Sequence, residues 1–532
     1  MIDEVSRAAG PRAPAPPRAG EATVRFLAAT ERPVLRPVNL REATGAYKLY
    51  EGAERVALPT GGGGRAPEPG PALTGRLMRG LLGLVRVCWT YPGPAAGEPG
   101  GAGMGLRLHH AVPSGGALYP IEAYLAGGSH GFPAGLHHYD RAHHVLQRVR
   151  GGDHRAALTG ALAEPPGRLP DLVIVLTAVF WRTGVKYGDF AYRLQCQETG
   201  ALAAQALVLA GELGLSARLH LDFDGRAIER LLDLPEGAEG VLGVLGLTAR
   251  PRPESRGTRT GPSAGELIRA PAARVRRPPP SVAGSLPYLW ALHTAGTAPR
   301  RLGRDRVRPG VPGRPPVVES AVRLPPPPVV RLRDGFARRR SAPAGFEPSP
   351  IAPDELAGIL AAATLGHPGD PLDAADGPAA CAVHVWVLRV RGVAPGVYRY
   401  DRAGGRLCPV APARSPAAVA ASSPAQTRLS LGEAAAVVIP AGDPLAGLSR
   451  FGDLWFRVQQ VEAGLVVHRA TLAAAALGLA VRIHSDVCTA ETDAALGLTG
   501  SGRRGLSALL VGRPPRRTPV RWDPRPAAGG PG

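Results

Sequence analysis

Lysine is almost missing from this chain: only Lys48 and Lys186 occur among its 63 basic residues, and the rest are arginine. Cysteine is also scarce. Cys88, Cys196, Cys381, Cys408 and Cys488 are scattered, odd in number and contain no CxxC pair, which excludes a cysteine-built zinc site and a disulfide framework and suits a reducing compartment. No long apolar run is present either. The best stretch, Ala201 to Leu215, is broken by Gln205 and Glu212, and the chain does not start with a charged-then-apolar signal pattern. The sequence therefore predicts no membrane span and no export signal, and a cytoplasmic location. Zinc-finger spacing and an aromatic RNA-binding platform are lacking too, so the net charge of +20 does not by itself read as nucleic-acid binding.

The 532 residues and 44% hydrophobic content are enough for two or three globular domains. Glycine (70) and proline (57) are abundant but concentrated in particular stretches. Residues 251–330 hold fourteen Arg against four acidic residues, half of the net charge, on a proline-rich background. This composition predicts an extended basic connector. By the same reasoning residues 1–40 and 518–532 are expected to be disordered tails.

Comparing the two halves is more informative. Gly188-Asp189-Phe190-Ala191-Tyr192-Arg193 matches Gly452-Asp453-Leu454-Trp455-Phe456-Arg457 at an offset of 264 residues. The register continues without a gap: Glu198 and Gly200 fall on Glu462 and Gly464, Leu213-Gly214-Leu215 on Leu477-Gly478-Leu479, and Asp222 on Asp486. A second piece, Gly135 to Asp140 against Gly396 to Asp401, has an offset of 261. The chain is a tandem duplication, with copies at 41–250 and 331–517.

Each copy has a mixed layout. In the first, Asp171 to Phe180 reads as a strand, Phe190 to Leu213 as a long helix, Ala217 to Phe223 as a strand, Arg226 to Leu234 as a short helix and Val241 to Thr248 as a closing strand. The long helix is apolar on most faces and occurs twice. Packing one such helix on the other is the simple way to bury both, which predicts an α+β fold of two tandem domains forming an intrachain pseudo-dimer.

Two motifs in the first copy can carry chemistry. Pro113-Ser114-Gly115-Gly116-Ala117-Leu118-Tyr119-Pro120 is a tight turn where backbone can approach a ligand and a serine hydroxyl can bind it. Lys186-Tyr187 follows a buried strand and precedes the buried helix, a loop position suited to function. Lysine can lose its proton when desolvated and arginine cannot, so a lysine retained in so arginine-rich a chain points to a role that arginine cannot fill. The paired histidines (His109-His110, His137-His138, His143-His144) have no accompanying carboxylate spacing, so no metal is expected, and Gly61 to Gly64 lacks the ending of a phosphate loop.

The turn, the Lys186-Tyr187-Gly188-Asp189 stretch with Tyr192-Arg193 and Glu198-x-Gly200 behind it, and the upstream Tyr47-Lys48-Leu49-Tyr50 together resemble the SagB/ThcOx-type dehydrogenases. These are FMN enzymes with a nitroreductase-like fold that oxidise azolines to azoles in ribosomally made peptides, thiopeptides among them. The resemblance covers Thr44 to Thr248. It implies FMN as cofactor, Lys186 and Tyr187 as the catalytic pair, and Pro113, Ser114, Gly115, Gly116 and Gln205 as cofactor contacts. In the second copy the pair becomes Arg450-Phe451 and Gln205 becomes Arg469. That copy has instead Arg338-Arg339-Arg340-Ser341 and a terminal Arg513, Arg516 and Arg517, similar to the phosphate contacts of nitroreductases. Guanidinium forks suit a phosphate, so one composite FMN site per chain is expected, with the second degenerate.

Aromatising an azoline removes a proton and a hydride, and either Lys186 or Tyr187 is the base. If it is Tyr187, the lysine ammonium is expected to lower the phenol's pKa. The implied partners are an azoline-containing precursor peptide, which this positive chain would attract if its leader is acidic, and a cyclodehydratase. Pairing of whole chains stays open. So do two other readings, a generic NAD(P)H-dependent nitroreductase or quinone reductase and a non-catalytic scaffold subunit.

Overall fold

A computed structural model describes residues 19–32, 45–60, 70–90, 105–128, 131–250, 274–298, 320–342, 345–372, 374–411 and 425–515. Two antiparallel sheets dominate it. In the first, the strands run in the order Leu215–His220, Glu239–Ala249, Leu172–Val179, Ile121–Gly127, Gly135–Asp140, Val145–Arg150 and Arg55–Ala57. In the second, the order is Ala480–His484, Ala508–Gly512, Ala436–Gly442, Ala382–Val387, Gly396–Asp401, Arg406–Ala411 and Val322–Arg323. The two orders correspond strand for strand, as a duplication requires. One exchange joins them: Gly369–Asp370 of the second copy adds in parallel to Leu215–His220 of the first. The Asp370 carboxylate there meets His220 Nδ1 and also accepts from the backbone N–H groups of Leu221 and Asp222, each at 3.2 Å.

The central helices Ala191–Glu212 and Leu454–Ala476 cross between the sheets. Their crossing is reciprocal. A Cβ on Gly200 would collide with the Val461 carbonyl oxygen, and one on Gly464 with that of Gln197, the positions 264 residues apart in each case. Only glycine lets the two backbones approach so closely. Gln197 donates to Gln460 across the crossing at 2.8 Å, which satisfies polar groups that lie inside the core. All 22 buried positions recorded for the second helix lie between Leu454 and Ala475, so it has no solvent face. This is the α+β pseudo-dimer that the repeat predicts.

Two expectations need correction. The basic stretch 251–330 is not all connector, because Pro287–Thr297 forms a helix whose Leu289 and Leu292 are buried. Nor is 1–40 all tail, because Glu21–Ala29 forms a helix with Phe26 buried against Tyr192 and Phe456. The duplicated aspartates explain both. Asp189 accepts the Leu289 N–H at 2.8 Å at the start of one helix, and Asp453 accepts the Thr23 N–H at 2.7 Å at the start of the other. Carboxylates at helix N-termini bind unpaired N–H groups and favour the helix dipole. Glycine and proline around these short segments hide them from a composition-based reading. The expected tail 518–532 lies outside the described residues, as do Arg516, Arg517 and Gly61 to Gly64. Among the described residues no helix is long and apolar enough to cross a membrane.

Candidate functional site

The turn that precedes Ile121–Gly127 is held in an unfavourable conformation. Gly116, Ala117 and Tyr119 have φ values of 64°, 57° and 47°, a region that costs residues other than glycine energy and persists only where the surroundings impose it. Those surroundings are identifiable. The Tyr119 N–H donates to Ser114 Oγ at 2.8 Å, while the Tyr119 carbonyl accepts from Arg141 at 2.9 Å and Arg182 at 2.8 Å. Both guanidiniums also bind buried Glu122, at 3.1 and 2.7 Å, and hold its carboxyl well below the usual range against the opposing effect of burial. Glu198, from the first central helix, accepts the Gly115 N–H at 2.8 Å.

Lys186 and Tyr187 end the short helix Phe180–Tyr187, so they sit on a helix terminus and not on the expected loop. Both reach the turn. A Cβ on Gly116 would stand 3.0 Å from Tyr187 Oη and 3.2 Å from Lys186 Nζ, and Lys186 Nζ lies 5.2 Å from the Tyr187 ring centre. The phenol behaves opposite to expectation. Burial, then the charges of Glu198 and of Asp486 from the second copy, push Tyr187 up to about 12. At neutral pH it is a proton donor.

The second copy enters from the other side. Arg339 donates to the carbonyls of Ala111 and His110 at 3.3 and 3.4 Å, just before the turn, and no carboxylate pairs with it among the described residues. Burial and neighbouring Arg86 push its pKa down to about 10, the mark of a cation lacking a counter-charge. Arg340 and Ser341 follow it, and Ser341 bridges to Val481. The other arginines differ. Arg338 turns outward to the Ala476 carbonyl, and Arg513 is bound through both nitrogens to Glu355 at 2.9 and 2.7 Å. Gln205 is buried between helices, where it donates to the Gly80 carbonyl and pairs with His468, itself a neighbour of Arg339. A long polar side chain on a buried helix found a partner in the interface, and the sequence does not distinguish that from a ligand contact.

Glu198, Tyr119, Arg141, Arg182 and Asp486 border the site without a role that sequence alone assigns them. For Glu198 a signal existed: a carboxylate that recurs at the same place in two buried helices must have a buried partner. The other lysine, Lys48, is 5% exposed and pairs with Glu239 at 2.6 Å between Tyr50 and Tyr124, so it belongs to the core of the first copy. Among the described residues no three His, Cys, Asp or Glu side chains converge as metal ligands would.

No family model matches the chain. It is similar to the microcin B17-processing protein McbC of Escherichia coli, 28% identical over 132 residues, or 23% of this chain and 48% of that protein. It is also similar to the trifolitoxin-processing protein TfxB of Rhizobium leguminosarum bv. trifolii, 29% identical over 151 residues, covering 26% and 40% of the two chains. The chain thus spans about half the length of these relatives or less. A crystal structure assigned as a nitroreductase from Anabaena variabilis superposes with a TM-score of 0.70 at 21% identity, over 93% of this chain and 99% of that one. The nitroreductase fold therefore extends across both copies.

Proposed function

We propose that this tandem nitroreductase-fold protein is an FMN-dependent dehydrogenase that oxidises thiazoline or oxazoline rings of a ribosomally made peptide to thiazoles or oxazoles. The observation that carries the reading is that Lys186 and Tyr187 from the first copy meet at one strained turn, with Arg339 from the second, which no carboxylate neutralises among the described residues, bound just before it. Similarity to two proteins named for processing microcin B17 and trifolitoxin supports a peptide substrate. The precursor peptide would come with its cyclodehydratase, and an acidic leader would suit a chain of net charge +20.

The residues fit FMN. Gly115 and Gly116 lack the side chains that would press on Tyr187 Oη, Lys186 Nζ and Glu198 Oε1, so these polar groups come close to the backbone of the turn where a flavin's polar edge would meet them. Arg339, with Arg340 and Ser341 after it, suits the phosphate, whereas Arg513 is already committed to Glu355. When bound, the flavin supplies the acceptor for two electrons. The protein must take the proton. Tyr187, protonated at neutral pH, takes the substrate proton only by passing its own on, and Lys186 is the alternative acceptor. Arg141 and Arg182, locked on Glu122, keep the turn in place for this step.

A visible flavin spectrum from the purified chain, and loss of two hydrogens per ring when it is mixed with a thiazoline-bearing peptide, test the reading. A colourless chain, or a peptide of unchanged mass, would refute it. The full-length match to a nitroreductase supports a second reading, NAD(P)H-dependent reduction. Steady NAD(P)H consumption without any change in the peptide would favour that one.

A further inference from the structure

A base that takes a proton at every turnover needs somewhere to put it. Glu198 lies at the right place. From the point where a Gly115 Cβ would stand, Glu198 Oε1 is 3.4 Å away and Tyr187 Oη 3.9 Å, and the neighbouring Gly116 brings in Lys186 Nζ. Carboxyl group, phenol and lysine amine thus border the same two glycines. Behind the turn a small cavity is lined by Leu82, His110, Tyr119, Arg141 and Glu198.

The duplicated carboxylate provides an internal contrast. Glu462 accepts three backbone N–H groups, from Ala379, Ala380 and Cys381, at 2.7, 2.6 and 2.9 Å. Glu198 accepts one, from Gly115, together with the Ser114 hydroxyl. A carboxylate has about four acceptor positions, so Glu462 is close to saturated and Glu198 is not. The groups facing Glu198 are Lys186 and Tyr187 from the short helix, Ser114 from the turn, and Arg141, Tyr119 and His110 behind it. Burial outweighs these donors and pushes Glu198 up to about 8, near a working pH.

We propose that Glu198 is the proton store of this site, receiving the substrate's proton from the Lys186–Tyr187 pair and releasing it to solvent between turnovers. The inference rests on the proposed function. In the step, a substrate C–H bond breaks and its proton joins the pair. An O–H or N–H bond of the pair breaks and an O–H bond forms on the Glu198 carboxylate; the second C–H bond would break with its electron pair leaving as hydride, for which a bound flavin would be the acceptor.

The test uses the full chain, flavin-loaded, with a short thiazoline-bearing peptide. Because the carboxylate must be ionised to accept, wild-type turnover is expected to rise as pH passes about 8. Glu198→Gln keeps an acceptor for the Gly115 N–H, so it should retain the flavin spectrum, lose about a hundredfold in turnover and lose that pH dependence. Glu198→Asp should restore part of both. Independently of turnover, infrared titration of the flavin-free chain should show a protonated carboxyl that disappears with a midpoint of about 8 and is missing in the Gln chain. A Gln chain with wild-type rate and pH profile, beside a dead Lys186→Ala chain, would overturn this inference alone. A Lys186→Ala chain with normal turnover would overturn the pair and this inference with it.

Discussion

The two copies share a strand order and a helix crossing, and they differ at one turn. In the first, Glu198 holds a single backbone N–H and the chain bulges into a strained loop over Lys186 and Tyr187. In the second, Glu462 accepts three successive N–H groups at the start of Ala382–Val387. Even the side-chain pair is mirrored, with Arg450 lying 4.8 Å from the Phe451 ring centre as Lys186 lies over Tyr187. What separates them chemically is the conformation of the facing turn and the ability of Lys and Tyr to exchange protons, which Arg and Phe lack. A duplicated scaffold can thus keep its packing while one half changes its turn and reaches the other half with a side chain, as Arg339 does.

The sharpest way to break this comparison is at the pair itself. Lys186→Ala should keep the flavin spectrum and lose on the order of a hundredfold to ten-thousandfold in turnover, read by single-turnover kinetics; retention of the rate would leave the first copy no more equipped than the second. Next is the bridge between copies. Arg339→Ala should weaken flavin binding by about 2 kcal/mol, or roughly thirtyfold, in a fluorescence titration, while Arg513→Ala leaves it nearly unchanged because that arginine serves Glu355. Equal losses from the two would place the phosphate elsewhere. The shared crossing predicts that Gly200→Ala and Gly464→Ala each cost about 1–3 kcal/mol in urea unfolding, since either methyl meets the partner helix backbone.

Smaller in size, but specific in sign, is the pH dependence of stability. The carboxyl of Glu198 rises from 4.5 to about 8 on folding. A raised pKa means that its contribution is fully present below 4.5 and disappears as pH climbs through 8, so the melting temperature should fall across that window in wild type and less in Glu198→Gln. The least effect is expected from Arg450→Lys with Phe451→Tyr. This double change restores the pair in the second copy but not the turn, so the ratio of flavin to protein should not rise. A second flavin per chain would show that side chains, not loop geometry, closed that site.

Much of the architecture could be read from residue order. A helix with no polar face, repeated at a constant offset, has few ways to be buried, and Ala191–Glu212 lies where its pattern places it. The turn and Lys186-Tyr187 could be picked out as candidates, although separated by some seventy residues, and the fold brings them together. Less visible were Glu21–Ala29 and Pro287–Thr297, short helices set in glycine- and proline-rich sequence and stabilised by aspartates from distant segments. Arg339 and Arg513 were equivalent as sequence. Only the proximity of Glu355 separates a neutralised guanidinium from one still seeking an anion.

The order of amino acids alone determined the duplication, the buried central helices and the types of side chain available for proton transfer and phosphate binding, because periodicity and residue chemistry are local properties. Tertiary structure decided which of those side chains meet, that Tyr187 titrates high when its lysine neighbour led to the opposite expectation, and that one glutamate keeps acceptor positions free while its twin does not. Desolvation and charge–charge interaction depend on distances between segments far apart in the chain, and those distances exist only once it has folded.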